Sequence, residues 1–260
     1  MSRISDSVAM LENVKRLTPR ILVGVSGGKD SLVSLALACD VFGSDNVVGY
    51  FKQLVVGVEC EQAPVRLAAA RHKVEIITVP HEHLSQLLRR SICRPYVNGA
   101  ENIRPLKQID IERYVRAKTK IDWCLYGHRE VESLVRLAML RKIQGLDVKG
   151  RRVYAIWQWK NKEIFAFLKA RGIPVPVPLA QKYAGQSSGV GLEPFAMAWL
   201  KKNHPCDYAL YEKMFPYVEA LIMRHGAAST EVTKKPRKVK AKKSGENGPL
   251  PDGQGDGVLG

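Results

Sequence analysis

The sequence predicts an α/β fold in which a parallel sheet carries helices on both faces. Short apolar runs alternate with longer amphipathic segments through the first two thirds of the chain, which is the pattern of βαβ units. The runs are almost continuous in apolar residues, as expected for strands that are buried on both faces. The chain has 260 residues, 45% of them hydrophobic, which is enough for one large domain with a core.

The elements follow in order from the N-terminus. Residues 3–18 carry apolar side chains at helical spacing, with Ser5 or Asp6 available as a cap. Residues 21–25 form a short apolar run that predicts the first strand, and 29–41 predict the helix after it. The same alternation predicts strands over 46–53, 74–79, 122–126 and 152–155, and helices over 64–72, 81–90, 109–118, 131–143 and 160–170.

The pattern changes after Arg171. Three prolines in residues 173–178 exclude a helix interior or a central strand, and residues 183–192 are rich in Gly and Ser. Two further helices are expected over 193–202 and 207–224, and from residue 227 the apolar content falls. The expected division is therefore an α/β domain over 1–175, a helical C-terminal subdomain over 176–226 and a disordered tail over 227–260.

The chain is strongly basic, with a formal net charge of +16. The tail from residue 227 contributes +3, so the body carries +13. A basic body indicates a polyanionic partner, which is a nucleotide, a nucleic acid or both, with DNA and RNA among the candidates. The Lys-rich run over 234–243 fits a nucleic-acid arm and a solubilising extension equally well.

The cysteines and the apolar runs limit the cellular setting. Five cysteines lie singly, without a CxxC pair, which excludes zinc-ribbon and iron–sulfur spacings and fits reduced thiols. No apolar run has the length that a bilayer requires, and residues 1–6 lack the apolar core of a signal peptide. We expect a cytoplasmic protein without a membrane partner, whose oligomeric state the sequence leaves open.

The most specific motif is Ser26-Gly27-Gly28-Lys29-Asp30-Ser31, between the first strand and its helix. Glycines allow backbone amides to approach an anion, and the N-terminus of the helix adds free N–H groups and a positive dipole end. The two serines add hydroxyl donors, and Lys29 adds a point charge. This combination predicts a phosphate cradle, and it lacks the Walker pattern GxxxxGK[ST].

The motif resembles the PP-loop signature of the adenine-nucleotide α-hydrolase superfamily. That resemblance implies a loop that binds the pyrophosphate end of ATP, cleavage between the α- and β-phosphates, and adenylylation of a substrate. Mg²⁺ is implied through the nucleotide phosphates, with Asp30 as a candidate to orient it directly or through water. No protein metal site is expected, because His81 and His83 have no carboxylate or Cys to complete a set.

A second motif, Gly127 to Arg136, follows the predicted fourth strand and reads Gly127-His128-Arg129-Glu130-Val131-Glu132-Ser133-Leu134-Val135-Arg136. It matches GxRxxESxxR and is similar to a signature of the phosphoadenosine phosphosulfate reductase family and of related enzymes of DNA phosphorothioation. Ligands of parallel sheets bind outside the carboxyl ends of strands, where the strand order reverses. We therefore expect Arg129 and Arg136 to reach the same anion as Lys29, with Gly127, Glu132 and Ser133 in the same site.

The resemblance covers roughly residues 20–170, and the C-terminal helical part is similar to extensions of phage and prophage members. It implies a five-stranded parallel sheet in the order 3-2-1-4-5. Sulfonucleotide reductases carry a nucleophilic Cys in a C-terminal Glu-Cys-Gly-Leu-His element, which this chain lacks. Three functions stay open: ATP-dependent adenylylation in sulfur transfer or nucleic-acid modification, sulfonucleotide reduction by an atypical Cys such as Cys206, and nucleic-acid binding without catalysis.

Overall fold

The computed structural model describes residues 3–174 and 191–231, with side chains described up to Arg224. The expected Gly- and Ser-rich segment lies mostly outside the described residues, and so do the prolines at 176 and 178 and the chain beyond 231. Among the described residues, every helix is too short or too polar to cross a membrane.

One six-stranded sheet forms the centre of the fold, in the order β3-β2-β1-β4-β6-β5. All neighbouring strands are parallel except β5, which pairs antiparallel with β6. The strands are β1 Ile21–Gly24, β2 Val47–Gln53, β3 Glu75–Pro80, β4 Cys124–Leu125, β5 Leu146–Asp147 and β6 Arg152–Val153. The five predicted strands and their order are confirmed, with β6 as the predicted fifth strand. The structure adds β5 at the edge.

Ten α-helices lie in the described residues, besides three short 3-10 helices. They are α1 Arg3–Lys15, α2 Lys29–Phe42, α3 Glu59–His72, α4 Glu82–Arg89, α5 Gln108–Thr119, α6 Leu134–Ile143, α7 Asn161–Ala170, α8 Pro194–Asn203, α9 Pro205–Met214 and α10 Val218–Glu231. The prediction of one helix over 207–224 is wrong, because Pro216 interrupts it: proline lacks the N–H that a helix interior needs and disfavours helical backbone before it.

Two apolar clusters cover the two faces of the sheet. On one face α1, α2 and α7 pack against side chains such as Val23, Phe51 and Leu125. On the other face α5 and α6 pack against Leu22, Cys124 and their neighbours. The alternation of adjacent residues, such as Leu22 and Val23, between the two clusters follows from the period of two in a strand. Because helices cover both faces of the sheet, the ends of the strands are the part that the helices leave uncovered.

The three C-terminal helices form a third apolar cluster on the loop after β2. Leu54, Val55 and Val58 of that loop are buried among residues of α8, α9 and α10. Asp207 of α9 is also buried and accepts hydrogen bonds from the backbone N–H groups of Glu59 (2.8 Å) and Cys60 (2.9 Å). A side chain from α9 thus caps the N-terminus of α3, which explains why α3 begins five residues before the predicted residue 64.

Candidate functional site

Residues 26–31 lie where β1 ends and α2 begins, at the carboxyl edge of the sheet. Gly27 has a φ of +75°, and a Cβ built there would lie 3.2 Å from Cβ of Pro64. Both the backbone conformation and the close approach to α3 therefore favour glycine. Gly28 caps α2 with extended backbone, so the amides of the first turn of α2 follow directly on the loop. The predicted strand–loop–helix context of the motif is confirmed.

Ser31 closes the loop on itself. Its hydroxyl donates to the carbonyl of Gly28 (2.8 Å) and accepts from the backbone N–H of Ser26 (3.2 Å). The hydroxyl of Ser26 lies 3.2 Å from the same oxygen. These contacts fix the two ends of the hexapeptide to each other, so the loop is held in one shape by its own side chains.

Gly127 brings the second motif against the first. A Cβ at this position would lie 2.9 Å from the backbone C and O atoms of Asp30 and 3.1 Å from the backbone N of Ser31. These atoms belong to the first turn of α2 and cannot rotate away as a side chain could. Two segments that are about a hundred residues apart in sequence are therefore in backbone contact at the ends of β1 and β4.

Arg129 of the second motif also contacts the first motif, through an ion pair. Its side chain is buried, and Nε lies 2.9 Å from Oδ1 of Asp30, while Nη2 donates to Oδ2 at 3.4 Å. Nη1 donates to the carbonyl of Trp159 at 3.2 Å, just before α7. Asp30 is also paired with Lys29, at 3.0 Å. Arg129 and Lys29 thus share one carboxylate, that of Asp30. The expected contact of these cations with a bound anion stays a prediction.

Arg136 lies apart from that pair and forms an ion pair with Glu132. Glu132 also accepts from the backbone N–H of Arg129 (3.1 Å), and the hydroxyl of Ser133 accepts from the backbone N–H of Arg136 (3.2 Å) and caps α6. The Arg136 side chain is 39% exposed, whereas that of Arg129 is 3% exposed. Of the two arginines, Arg136 is therefore the one accessible to a ligand.

A polar network that no sequence motif indicated lines the same edge on the α5 face. The hydroxyls of Tyr50 and Tyr126 are 2.8 Å apart, and Tyr126 donates to Glu112 at 2.6 Å. Gln108 donates to Tyr126 (3.2 Å) and accepts from Lys52 (2.8 Å). These residues come from β2, from α5 and from the residue after β4. They are far apart in sequence and meet only because β2 and β4 lie on the two sides of β1.

The network adjoins the loop at Gly24. A Cβ built on Gly24 would lie 3.3 Å from the ring of Tyr126 and 3.6 Å from the hydroxyl of Tyr50. Gly24 is two residues before Ser26, so the buried network and the hexapeptide are neighbours at the carboxyl ends of β1, β2 and β4. Parallel α/β sheets bind ligands in a crevice outside the carboxyl ends of their strands. We refer to the region outside these strand ends as the crevice.

His128 belongs to the α5 side of the crevice. Its ring stacks with those of Tyr126 (5.4 Å between centroids) and Tyr154 (5.8 Å). Burial, together with the charges of Arg136 and Lys52, lowers the pKa of His128 to about 4. The imidazole is therefore neutral near pH 7, while the nearby Arg136 and Lys52 are paired with Glu132 and Glu82.

The described residues contain no group of three or more His, Cys, Asp or Glu side chains that could hold a metal ion. Asp30 is the carboxylate of the loop, and two cations already compensate its charge. His81 accepts a hydrogen bond from the backbone N–H of His83 (3.1 Å) and caps α4. A magnesium ion at this edge would therefore depend mainly on ligands brought by a nucleotide.

Four of the five cysteines lack the character of nucleophiles. Burial raises the pKa of Cys39 to about 11, and it also raises the pKa values of Cys60, Cys93 and Cys124. Thiols with raised pKa values are protonated near pH 7 and react slowly. Cys206 is exposed at the start of α9.

No protein-family model matches the chain, and no curated protein matches it. Among solved structures, the chain is similar to the NH3-dependent NAD synthetase from Campylobacter jejuni subsp. jejuni in complex with the nitrate ion. The identity is 12%, the TM-score is 0.46, and the alignment covers 92% of this chain and 98% of that chain. Similarity at this level says nothing about the activity of the chain.

Proposed function

We propose that the chain binds ATP or a related adenine nucleotide in the crevice and cleaves it at the α-phosphate to adenylylate a substrate, in sulfur transfer or nucleic-acid modification. The observation that carries the proposal is the contact of Gly127 with the backbone of Asp30 and Ser31. It joins the phosphate cradle to the second motif, which is the arrangement that both resemblances require. The likeness of residues 26–31 to a PP-loop supports cleavage between the α- and β-phosphates.

The roles of the residues follow from their exposure and contacts. Lys29 and the amides at the start of α2 would stabilise the pyrophosphate as negative charge develops on it. Arg136, exposed beside His128, would neutralise charge on the α-phosphate. Arg129 is buried against Asp30, so we assign it to holding the loop in place and not to direct contact with phosphate.

Magnesium would enter with the nucleotide. Mg²⁺ keeps several waters and binds through one or two carboxylates plus substrate phosphates. Asp30 can take part through water, because its two oxygens already face Arg129 and Lys29. The ion would supply charge neutralisation on the leaving pyrophosphate, and the chain itself supplies the loop that positions the phosphates.

The alternative of sulfonucleotide reduction has less support. A reductase of that kind needs a thiolate that attacks sulfur, and four of the five thiols have raised pKa values. Cys206 is the remaining candidate. The second alternative, nucleic-acid binding without turnover, predicts the same crevice but no cleavage of nucleotide.

The test is product analysis with ATP and Mg²⁺, with DNA, RNA and sulfide each present or omitted. We expect AMP and pyrophosphate from the wild type and a loss of on the order of 10²-fold in rate for Lys29→Ala. Lys169→Ala is the matched control, since Lys169 is exposed near the C-terminal end of α7. ADP and phosphate as products, or equal rates for Lys29→Ala and Lys169→Ala, would contradict the proposal.

Sulfonucleotide reduction is tested separately with phosphoadenosine phosphosulfate and reduced thioredoxin. We expect no sulfite from the wild type. Sulfite formation that Cys206→Ser abolishes would instead establish the reductase. Binding of nucleic acid without any cleavage of ATP or sulfonucleotide would establish the third reading.

A further inference from the structure

A basic surface borders the crevice on the side of α4 and α5. Residues 89–120 contain nine basic and three acidic side chains. One of the three acids, Glu112, is buried and paired with Arg116 and Arg152. Without Glu112 and its partner Arg116, eight basic and two acidic side chains remain, so the rest of the segment keeps a net charge of +6.

The charge is concentrated around Asp110. Nη2 of Arg104 and Nη1 of Arg113 both lie 3.9 Å from Oδ1 of Asp110, and the backbone N–H of Lys107 donates to its Oδ2 at 2.9 Å. The side chains of Arg104 and Arg113 are 86% and 72% exposed. Two guanidinium groups thus flank one carboxylate, and both are open to solvent and to phosphate, while Lys107 adds an exposed cation in the same loop.

Two exposed tyrosines lie in the same segment. Tyr96 is 63% exposed and Tyr114, the neighbour of Arg113 on α5, is 56% exposed. The hydroxyl of Tyr96 donates to Glu101 at 2.6 Å, which restrains the ring while its faces stay accessible. Aromatic faces interleaved with cations are the features by which proteins bind unpaired nucleic-acid strands, since bases stack on the rings and cations follow the phosphates.

This surface is continuous with the crevice. Lys107 is followed directly by Gln108, whose amide contacts Tyr126 and Lys52 inside the crevice. The chain therefore passes from the exposed cations to the floor of the candidate nucleotide site within one residue. A strand bound along Arg104, Lys107 and Arg113 would have one of its nucleotides close to that site.

We propose that Arg104, Lys107 and Arg113, together with Tyr96 and Tyr114, form a binding surface for an unpaired nucleic-acid strand, DNA or RNA. The inference rests on the proposed function in one respect: the strand is the molecule that carries the acceptor of the adenylyl group. The exposed rings favour an unpaired strand over a duplex, because paired bases have no free faces. An acidic protein could use the cations but would not need the rings.

The test measures binding by fluorescence anisotropy with the full chain, without ATP, over a series of salt concentrations. The probes are labelled DNA and RNA strands of about 20 nucleotides, the DNA duplex of the same sequence, and inorganic polyphosphate as an unlabelled competitor. Arg104, Lys107 and Arg113 are replaced together by Ala. The matched control removes the same charge with Ala at Arg16, Arg20 and Lys169, which are exposed near the opposite edge of the sheet.

We expect the first triple variant to bind strands about tenfold or more weakly, and the slope of log affinity against log salt to fall by about 2. The control triple should keep most of the affinity. Tyr96→Ala with Tyr114→Ala should lose about fivefold or more for strands and little for the duplex. Circular dichroism and thermal unfolding check that each variant is folded, and the substituted side chains are exposed.

Several outcomes would overturn the surface. Equal affinity of both triple variants would assign binding to another part of the chain, such as the Lys-rich run over 234–243. A preference for the duplex would contradict the proposal. So would equal competition by polyphosphate in the wild type and in the variant without the two tyrosines, because binding would then depend on charge alone and not on stacking of bases. Because binding is measured without ATP, a chain that binds strands here but releases no pyrophosphate would refute the proposed function and leave the surface intact.

Discussion

Gly127 is the position at which the two motifs leave no space for a side chain. An added Cβ would lie 2.9 Å from the backbone of Asp30, closer than real contacts of this kind. We expect Gly127→Ala to lower the free energy of unfolding by about 1–3 kcal/mol and to slow pyrophosphate release by on the order of 10²-fold, because the loop must move. Urea unfolding and product analysis measure the two effects.

Gly150→Ala is the control for this substitution. The three atoms nearest to a Cβ at Gly150 all belong to the carboxylate of Asp147, the far end of a flexible side chain outside both motifs. We expect that variant to keep its rate. Equal rates for Gly127→Ala and Gly150→Ala would mean that the contact between the motifs has no part in the reaction.

His128 makes the stability of the folded chain depend on pH. Its pKa is about 4 in the folded chain, against an ordinary value of 6.5 for histidine. As the pH falls below 6.5, the unfolded chain takes up the proton first, so the folded state loses stability until about pH 4. We expect this residue to account for about 2 kcal/mol of the loss between pH 7 and pH 5.

Urea unfolding of wild type and His128→Phe at both pH values measures that contribution. Phenylalanine keeps a ring between Tyr126 and Tyr154 but does not titrate, so the variant should lose less stability on acidification. Other histidines, such as His81, titrate alike in both proteins and cancel in the difference. The same loss in both proteins would remove His128 as the cause.

The residues of the candidate site differ in how far the sequence could predict them. Residues 26–31 and 127–136 are contiguous motifs with a characteristic spacing, so their chemistry is visible without a structure. Lys52 and Gln108 have no such pattern. They meet because β2 and α5 flank the same edge, and a long-range contact of that kind leaves no local signal.

Helices and strands could be predicted where a signal in their own sequence determines them. Residues 21–25 are apolar and precede the Gly-rich loop, so β1 follows from the sequence alone. Strand β5 has two residues and depends on pairing with β6, which no periodicity reveals. The start of α3 depends on a cap from α9, far along the chain, and a local reading began that helix at Pro64.

Asp207 links the C-terminal helices to α3. Burial favours its protonated form, but hydrogen bonds from the backbone N–H groups of Cys60 and Glu59 hold its pKa below the ordinary value. In Asp207→Asn the amide would turn an NH2 group towards one of these donors. We expect a loss of about 1–2 kcal/mol in the free energy of unfolding and faster hydrogen exchange at the two amides.

The control is Asp122→Asn, the same chemical change at a residue 61% exposed and paired with Arg151. An exposed pair contributes about 0–1 kcal/mol, so that variant should stay close to wild type. If Asp207→Asn and Asp122→Asn were equally stable, the cap on α3 would not be what joins α9 to the sheet.

At the scale of the molecule, the order of the strands determines which functional residues lie close together. The first motif follows β1, and the strands on its two sides, β2 and β4, bring Lys52 and the second motif to the same edge. The long intervening segment supplies α5 and the basic surface around Asp110. One edge of the sheet thus carries the candidate nucleotide site and the surface proposed for its partner.

The C-terminal helices share an apolar core with the loop after β2. Leu54, Val55 and Val58 follow β2 directly and are buried among α8, α9 and α10, so separating the helices would expose them. We therefore expect the described body to unfold in one cooperative transition. Tryptophan fluorescence and far-ultraviolet circular dichroism should give the same midpoint in urea for the wild type and for Trp199→Phe, which removes the reporter on α8. A fluorescence change at lower urea that disappears in Trp199→Phe would show that the helices detach first, and that the loop after β2 is not a shared core.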